Sequence, residues 1–534
     1  MNLSVKHLLL VISAALNSLL TAQSPAQAYK VNGVYGGGKV IVVKDGIIQF
    51  VGKKLPADRF PDAEVTRLKS WVYPGFIDAH CHFYYYGLGK AECNLVGCNS
   101  EAEMLERVKV WAAANPEGWI LGRGWDQNRW PGKTFPDRRV YDSLFPNRPM
   151  LLKRVDGHAV LINDAARRSA RFNTDTTIDG GEIIRRDGRY TGLLVDNASE
   201  PLRAAVPPPP RSIQEKALLT AAQDCLEAGL TGICDAGLPH TVIRLMDSLQ
   251  RAGFLPLRIS AMIEPTPASK AAYMFSNNDP VLSPWLRTGA VKYYLDGALG
   301  SRGACLKEDY CDRIGHRGML LIRPEQFDSA CQEAARYGFQ VCVHAIGDSA
   351  NRFALDIMKK RMPAEGRWRI EHAQVVDTAD FFRFAAPQRI IPSVQPTHFT
   401  SDIPWAEERL CSHRMEGAYA YKTLLNQAGI LPLGTDFPVE GISPLATYRA
   451  AVFRSLDGKA PAQRYMKDAL TPDEAIRGMT EWAAYASRLD GTGVIKPGAA
   501  ADLVFLSADL RRSKQEDIPA IRIRTMTDGQ WRTP

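Results

Sequence analysis

The two ends of the chain share a pattern of short apolar runs separated by turn residues. Residues 29–73 contain runs such as 40–43 between glycine clusters, and the other end contains runs such as 503–506. Neither end shows the 3.6-residue period of an amphipathic helix, and both patterns are typical of short strands. Because chain termini often lie close together, we expect residues 29–73 and 488–534 to form one small β-sandwich domain.

The central part of the chain, residues 74–487, alternates apolar runs with amphipathic helical stretches, such as residues 213–228, 324–337 and 471–486. Most runs are continuously apolar, as expected for parallel strands buried on both faces. The pattern predicts an α/β fold, namely a (β/α)8 TIM-like barrel. The alternative is a doubly wound open sheet, but no Gly-x-Gly-x-x-Gly sequence follows an early strand. The predicted strands span residues 76–80, 231–235, 258–263, 291–296, 340–344, 368–372, 389–394 and 431–435.

Residues 83–211 interrupt this alternation between the first and second predicted strands. The interval is far longer than one strand-to-strand crossover needs. We therefore expect an inserted subdomain over residues 83–211. An insertion after a barrel strand lies at the carboxyl-terminal mouth, where barrel enzymes carry their chemistry, so it is expected to shape substrate access.

The first 28 residues have the features of a secretory signal peptide. Lys6 precedes an apolar run over residues 8–20, and Ala26-Gln27-Ala28 has the small-x-small form of a cleavage site. We expect cleavage after Ala28 and a secreted or periplasmic protein that leaves the membrane after cleavage. The alternative, an uncleaved anchor, is disfavoured because the run is shorter than the ~20 residues that a span needs.

The net charge and the cysteine content argue against two classes of protein, nucleic-acid-binding proteins and disulfide scaffolds. The net charge of +8 is spread along the chain without a long basic run, so the sequence gives no support for nucleic-acid binding. Ten cysteines suit an oxidising compartment but are too few for a disulfide scaffold of this length. The candidate pairs are Cys93 with Cys98 and Cys305 with Cys311, while Cys225, Cys234, Cys331 and Cys342 are expected to be buried free thiols.

Metal-ligating residue types stand at the carboxyl ends of the predicted barrel strands. His80 and His82 end the first strand, and their spacing places both imidazoles on one face. His344 ends the fifth strand, His372 the sixth, and Asp436 follows the eighth. Because these ends meet at one mouth, the five residues predict a metal centre, and imidazole with carboxylate suits zinc.

Lys292 lies inside the apolar fourth strand, where a charged amine is costly. Two nearby cations would lower its pKa and favour the free amine. A free amine can add carbon dioxide, and the resulting carbamate has two oxygens that could bridge two metal ions. The alternative is an ion-paired lysine, which we would prefer if the histidines were absent.

Several motifs carry a resemblance that extends over nearly all of the mature chain. Together they resemble the amidohydrolase superfamily and, within it, the YtcJ-like branch, which includes N-substituted formamide deformylases. The motifs are Gly75-Phe76-Ile77-Asp78-Ala79-His80-Cys81-His82, Gly122-Arg123-Gly124-Trp125-Asp126, Asp156-Gly157-His158-Ala159, Asp296-Gly297-Ala298-Leu299-Gly300-Ser301-Arg302, His344-Ala345-Ile346-Gly347-Asp348, Arg369-Ile370-Glu371-His372-Ala373-Gln374, Ser393-Val394-Gln395-Pro396-Thr397-His398 and Gly434-Thr435-Asp436-Phe437-Pro438-Val439.

The resemblance implies two divalent ions, expected to be Zn²⁺, and a role for each ligand. By this resemblance His80, His82 and Asp436 would hold one ion, and His344 and His372 would hold the other. A CO2-derived carbamate on Lys292 would bridge them. The ions would lower the pKa of a bridging water and polarise the substrate carbonyl, while Asp436 would also carry the proton from the attacking hydroxide to the leaving amine.

Four further residues are candidates for the substrate pocket. His158 lies in the insert, Arg302 follows the fourth strand, His398 follows the seventh, and Trp125 could form an apolar wall. Each could instead be an ordinary loop or core residue. Asp196 stands where the branch more usually has glutamate, a departure that concerns the substrate and not the metal ligands.

These observations predict an exported, zinc-dependent amidohydrolase that cleaves a C–N bond of an amide or formamide in a small molecule. A single-metal deaminase on the same fold is disfavoured for two reasons. The resemblance implies that such a deaminase has a glutamate three residues after the fifth-strand histidine, where this chain has Gly347, and that it lacks the lysine found here as Lys292. Hydrolysis of an ester or phosphoester stays open. A non-catalytic binding or regulatory protein is disfavoured by the complete ligand set, and homo-oligomerisation stays open.

Overall fold

The computed structural model describes residues 25–276, 279–387, 389–455 and 463–533. Most of the predicted signal peptide lies outside these residues. Gln27–Lys30 forms a strand in which Ala28 is buried, so cleavage after Ala28 would remove the first half of that strand. The cleavage site stays a prediction. In the described part of the chain, no helix is both long and apolar enough to cross a membrane.

A parallel barrel forms the centre of the molecule, as predicted. Its strands are continuous apolar runs buried on both faces, which matches their burial between the barrel interior and an outer layer of helices. Val281–Ser283 adds one antiparallel strand beside the fourth barrel strand. The seven barrel strands, in chain order, are Phe76–Cys81, Leu230–Leu238, Arg258–Ile263, Leu286–Tyr294, Gln340–Ala345, Arg369–His372 and Ile391–Ser393.

The prediction of an eighth strand at residues 431–435 is wrong, because this segment does not form a regular strand. This segment forms only an isolated parallel bridge, between Leu433 and Val394. Pro432 lacks an N–H group and cannot donate to a ladder. The segment nevertheless closes the barrel, because Ala79 donates to the Leu433 carbonyl (3.1 Å) and Gly434 donates to the Val394 carbonyl (3.0 Å).

Asp78 holds this closure together on the side of the first strand. Its carboxylate accepts hydrogen bonds from the backbone N–H of His80 (3.0 Å) and of Thr435 (3.1 Å), and from the Thr435 hydroxyl (2.7 Å). Burial raises the pKa of Asp78 to about 7, against the lowering effect of these donors. A Cβ on Gly434 would lie 2.6 Å from the His80 nitrogen, so the close approach requires glycine there.

Helices cover the barrel, and the predicted amphipathic stretches agree with them to within a few residues. The stretch at 471–486 is divided into two helices at Met479 and Thr480. The helix beginning at Pro396 is interrupted near its end by Cys411, whose φ is +56°. The barrel helices are Phe83–Gly89, Arg211–Glu227, His240–Arg251, Pro267–Ser269, Pro324–Arg336, Asp348–Arg361, Pro396–Arg414, Tyr421–Ala428, Pro444–Phe453, Pro472–Gly478 and Glu481–Ala486.

The inserted subdomain is a separate six-stranded sheet with an apolar core on each face. Its helices are Glu101–Ala114, Arg139–Leu144, Asp164–Ser169 and Glu200–Ala205. Its strands, in sheet order, are Gly181–Arg186, Arg189–Asp196, Ala159–Ile162, Met150–Arg154, Ile120–Trp125 and Cys93–Asn94.

The chain ends build two small sheets that share one apolar core, in agreement with the predicted sandwich. The first sheet contains only N-terminal strands, in the order Ile47–Gly52, Val40–Lys44, Gln27–Lys30 and Glu64–Arg67. The second combines both ends, in the order Gly33–Val34, Trp71–Pro74, Leu503–Leu506, Ile523–Thr527 and Gln530–Trp531. Tyr29 of the first sheet contacts Phe505 of the second, with ring centroids 5.7 Å apart.

Cys311 and Cys411 form a disulfide, which corrects the predicted pairing of Cys305 with Cys311. The predicted pair Cys93–Cys98 is also wrong, because both are free buried thiols. The four cysteines expected to be buried and free are confirmed as such. The disulfide joins residues 100 positions apart, a distance at which sequence spacing gives no signal.

We expect the double variant Cys311→Ser/Cys411→Ser to lower the free energy of unfolding by about 2–5 kcal/mol, because the disulfide restricts a long loop in the unfolded chain. Urea unfolding followed by circular dichroism measures the change. A reducing agent should bring the wild type to the level of the variant and leave the variant unchanged. Equal stability of the two oxidised proteins would contradict this prediction.

Candidate metal centre

The barrel brings the six predicted ligands together at its carboxyl-terminal mouth. His80, Lys292, His344 and His372 lie on four different strands, and all four are buried. His82 follows the first strand, and Asp436 follows the irregular closing segment.

Asp436 lies between two groups of imidazoles. Its Oδ1 is 3.2 Å from Nε2 of His82 and 3.5 Å from Nε2 of His80, while its Oδ2 is 3.5 Å from Nε2 of His398. The ligand atoms of His80, His82 and Asp436 lie within 4.8 Å of one another, and so do those of His372, His398 and Asp436. Burial raises the pKa of Asp436, but the surrounding histidines outweigh burial and hold it well below its usual value.

The backbone beside Asp436 places its side chain. The Asp436 N–H donates to the His80 carbonyl (2.8 Å), which ties two predicted ligands across the barrel closure. Asp436 and His372 have left-handed φ values of +59° and +75°. Such conformations are costly for residues with side chains and are concentrated at functional sites.

A buried carboxylate fixes the orientation of His80. Oε2 of Glu371 is 2.6 Å from Nδ1 of His80, and Oε1 accepts a hydrogen bond from Nε of Arg369 (2.7 Å). Burial raises the pKa of Glu371, but the charges of Arg369 and His80 lower it to about 2. An ionised Glu371 accepts the Nδ1 proton of His80, so Nε2 is the nitrogen left to face the centre.

His372 is oriented in the same manner by a neutral amide, and Nε2 of His344 lies beside a carbonyl and, at 3.6 Å, beside Oδ1 of Asp296. Oε1 of Gln395 is 2.8 Å from Nδ1 of His372, which leaves Nε2 of that ring free. Nε2 of His344 is 3.4 Å from the Gly297 carbonyl, which leaves Nδ1 of His344 free. The two rings are 4.5 Å apart, and burial lowers the pKa of both well below the usual value.

Lys292 lies at the floor of this group without a carboxylate in hydrogen-bond contact among the described residues. Its Nζ is 3.3 Å from Nε2 of His80. Burial lowers the pKa of Lys292 to about 8, although the charges of Glu371 and Asp436 oppose the shift. The amine therefore loses its proton far more readily than a surface lysine does.

The donor set suits divalent metal ions. Imidazole nitrogens surround an ionised carboxylate, and two buried atoms without a hydrogen-bond partner among the described residues lie inside the site. Oδ1 of Asp436 and Nε2 of His398 are buried and have no hydrogen-bond partner in the part of the chain that the structure describes. Ligands of a tetrahedral zinc lie about 2.0–2.2 Å from the ion, and nitrogen and oxygen atoms 3.2–3.5 Å apart fit such bonds.

Two of the four predicted pocket residues lie at the metal centre, and the other two contact residues elsewhere. His158 and His398 lie at the centre, with ring centroids 5.0 Å from His344 and 5.7 Å from His372 respectively. Trp125 does not form the expected wall of the pocket. It is fully buried in the core of the insert, where its Nε1 donates to the Leu152 carbonyl (2.9 Å).

The side chain of Arg302 forms its hydrogen bonds with a residue that is not part of the metal centre. Its Nε and Nη2 donate to the two carboxylate oxygens of Asp312 at 3.1 and 2.7 Å. Asp312 also contacts the buried guanidinium of Arg409. The guanidinium of Arg302, a predicted pocket residue, is therefore already engaged by Asp312.

Sequence reasoning missed the residues that orient the histidines. Glu371 directly precedes His372 in the motif at 369–374. Because adjacent residues of a strand face opposite sides, a role for Glu371 different from that of His372 could have been predicted. Gln395 also stands in a quoted motif, three residues before His398. No local signal connects Glu371 with His80, from which it is separated by 291 positions.

Comparisons with known proteins agree with this geometry. The sequence profile of the Amidohydrolase family matches residues 70–531. YtcJ of Bacillus subtilis, an amidohydrolase-family protein by name, is 32% identical over 508 residues, covering 92% of this chain and 95% of its own. The Arabidopsis thaliana protein LONG AFTER FAR-RED 3 is 33% identical over 485 residues, covering 87% of this chain and 82% of its own.

Solved structures show the same fold. A metal-dependent hydrolase from Pyrococcus horikoshii has a TM-score of 0.75 at 24% identity, covering 92% of this chain and 99% of its own. A corresponding protein from Pyrococcus furiosus has a TM-score of 0.72, with 91% and 100% covered. With the match of the family profile and the YtcJ relative over nearly the whole chain, the protein belongs to the amidohydrolase family, in its YtcJ-like branch.

Proposed function

We propose that this member of a metal-dependent hydrolase family is an exported enzyme that hydrolyses the C–N bond of a small amide or formamide. The observation that carries the proposal is the position of Asp436, whose two oxygens face His82 and His398 in a buried site. A carboxylate in this place can hold an ion and also take a proton from a water molecule beside it.

We propose that the metals are two zinc ions and that Lys292 carries a carbamate. His80, His82 and Asp436 would hold one ion, and His344 and His372 would hold the other, with modified Lys292 between them. The lowered pKa of Lys292 favours the neutral amine that carbon dioxide requires. When bound, the ions would supply a Lewis acid for the carbonyl oxygen and would lower the pKa of a water molecule.

The residues of the chain supply the remaining chemistry. Asp436 accepts the proton of the attacking water and returns it to the leaving nitrogen, so that the amine departs neutral. Glu371 and Gln395 keep the rings of His80 and His372 in one tautomer, which prevents the ligands from rotating out of place.

The direct experiment measures metal content and turnover of the purified mature protein on a panel of N-formyl and N-acyl amines. The proposal predicts about two zinc ions per chain and turnover that stops on chelation and returns with zinc. Esters of the same acids serve as the comparison. Metal-dependent turnover of the esters alone would replace the C–N assignment, and a fully loaded protein without turnover would favour a binding role.

Export rests on the predicted signal peptide and is supported by the Cys311–Cys411 disulfide, because disulfides persist in oxidising compartments. Expression of the full chain in a bacterium, followed by fractionation, tests the proposal. We expect a shortened protein in the periplasm or medium, with its N-terminus read by mass spectrometry. A full-length cytoplasmic protein would contradict it.

We expect Glu371→Gln to weaken zinc binding by about 10- to 100-fold, because the amide neither attracts the His80 proton nor balances Arg369 as a carboxylate does. Competition with a chelator measures the affinity, and thermal unfolding checks the fold. Glu481→Gln, on an exposed helix surface, is the matched control. Unchanged zinc affinity in a folded Glu371→Gln protein would show that the pair does not tune the ligand.

A further inference from the structure

We infer that His158 contacts the amide group of the substrate and that Asp196 is the residue that positions it. The inference rests on the proposed function and deepens it, since it assigns one wall of the substrate site to the inserted subdomain. The barrel alone would then be an incomplete enzyme.

His158 is where the inserted sheet meets the metal centre. It lies in the turn between the strands Met150–Arg154 and Ala159–Ile162, whose other side chains build the separate core of the insert. Its ring centroid is 5.0 Å from that of His344 and 6.4 Å from that of Tyr294. The side chain keeps 15% of its surface exposed, so it remains accessible to a ligand.

Three hydrogen bonds hold His158 in place, one at its imidazole and two at its backbone. Oδ1 of Asp196 is 2.7 Å from Nδ1 of His158. The backbone N–H of Asp196 donates to the His158 carbonyl (2.8 Å), and the His158 N–H donates to Oδ1 of Asp156 (3.0 Å). Because Nδ1 is engaged, Nε2 is the ring nitrogen that can contact a substrate.

Asp196 holds this position in a costly conformation. Its φ and ψ are +50° and −128°, an uncommon region for a residue with a side chain. Such strain costs on the order of 1–3 kcal/mol and persists where the surroundings over-determine it. The Asp196 side chain is also fully buried, and Oδ2 has no hydrogen-bond partner within the described residues.

Two glycines make room for the carboxylate. A Cβ on Gly297 or on Gly303 would lie 2.2 Å from Oδ2 of Asp196. Both glycines belong to the loop after the fourth barrel strand, and Gly297 also offers its carbonyl to His344. The loop beside a predicted metal ligand is thus shaped around the residue that orients His158.

A purely structural role does not account for these features. A buried carboxylate with one unpaired oxygen reduces stability, and a strained backbone adds to that cost. The arrangement gives a fixed imidazole beside His344 in return. An imidazole in this position can form a hydrogen bond to the amide of a substrate held at the metal centre.

The test measures binding of acetohydroxamate, a small molecule that presents a carbonyl and an N–H group, to the zinc-loaded protein by calorimetry. We expect His158→Gln and Asp196→Asn to weaken binding about tenfold or more, with metal content and melting temperature close to the wild type. A single hydrogen bond lost corresponds to a change of this size. Asp196→Glu keeps the carboxylate and should recover part of the affinity, and His413→Gln, at an exposed site, should change nothing.

Unchanged affinity in His158→Gln at full metal content would overturn the inference, and so would a wild type that holds zinc but does not bind acetohydroxamate. Loss of zinc from His158→Gln would also overturn it, because the residue would then act through the metal. The proposed function fails separately, when the wild type turns over none of the N-formyl and N-acyl amines. Hydroxamate binding requires no turnover, so the two failures are distinguishable.

Discussion

Replacing Asp436 by asparagine is expected to lower kcat by about 10²- to 10⁴-fold on the best substrate of the amide panel, the range typical of a lost general acid–base. The amide cannot accept the proton of the attacking water, and it is a poorer ligand than a carboxylate. Steady-state kinetics beside metal analysis measures both effects. Asp490→Asn, at an exposed position, is the control.

Comparison with His82→Asn separates the two roles of Asp436. His82 is a predicted ligand with no part in proton transfer, so His82→Asn should lose zinc affinity but recover much of its turnover at saturating zinc. Asp436→Asn should remain slow at any zinc concentration. Equal recovery of both variants would show that Asp436 acts only as a ligand.

Replacing Lys292 by alanine is expected to reduce bound zinc below the wild-type level and to lower kcat by at least about 100-fold, because the proposed bridge between the two ions would be removed. Metal analysis of the purified variant measures the first effect. Lys133→Ala, at a partly exposed lysine paired with Glu408, is the matched control.

The proposed carbamate on Lys292 has a direct spectroscopic test. Reconstitution of the wild type with zinc and ¹³C-bicarbonate should produce one carbamate carbon signal by NMR, and Lys292→Ala should lack it. Loading should also be slower in carbon-dioxide-free buffer. A wild type that binds two zinc ions without this signal would make Lys292 an unmodified buried lysine.

The fold was largely predictable because each barrel strand is an apolar run that needs no particular neighbour to be recognised. The irregular structure of the closing segment at 431–435 could not be predicted from its apolar residues. Its hydrogen bonds to Ala79 and Val394 depend on two strands far away in the sequence, and Pro432 prevents a regular ladder. The proline was a local warning, since it removes one donor from the run.

The site was predictable where topology alone decides it. Residues such as His344 and His372 stand at strand ends, and all ends of one direction meet at the same mouth. Pairings between distant positions were not predictable, as with Asp196 and His158 or Cys311 and Cys411. These depend on how the insert and the loops pack, which no spacing in the sequence encodes.

The hydrogen bonds that close the barrel also determine how much of the chain a complete set of predicted ligands requires. Asp78 and Thr435 are 357 positions apart, and the backbone hydrogen bond from Asp436 to the His80 carbonyl spans the same closure. The first two predicted ligands lie near the start of the mature chain, and the last one follows only after most of its length. Contacts of such sequence separation form late, so a chain that stalls or is cut before residue 430 can collect only part of the ligand set. Tight metal binding would therefore report that the chain is nearly complete and that the barrel has closed, because a truncated chain lacks part of the predicted ligand set.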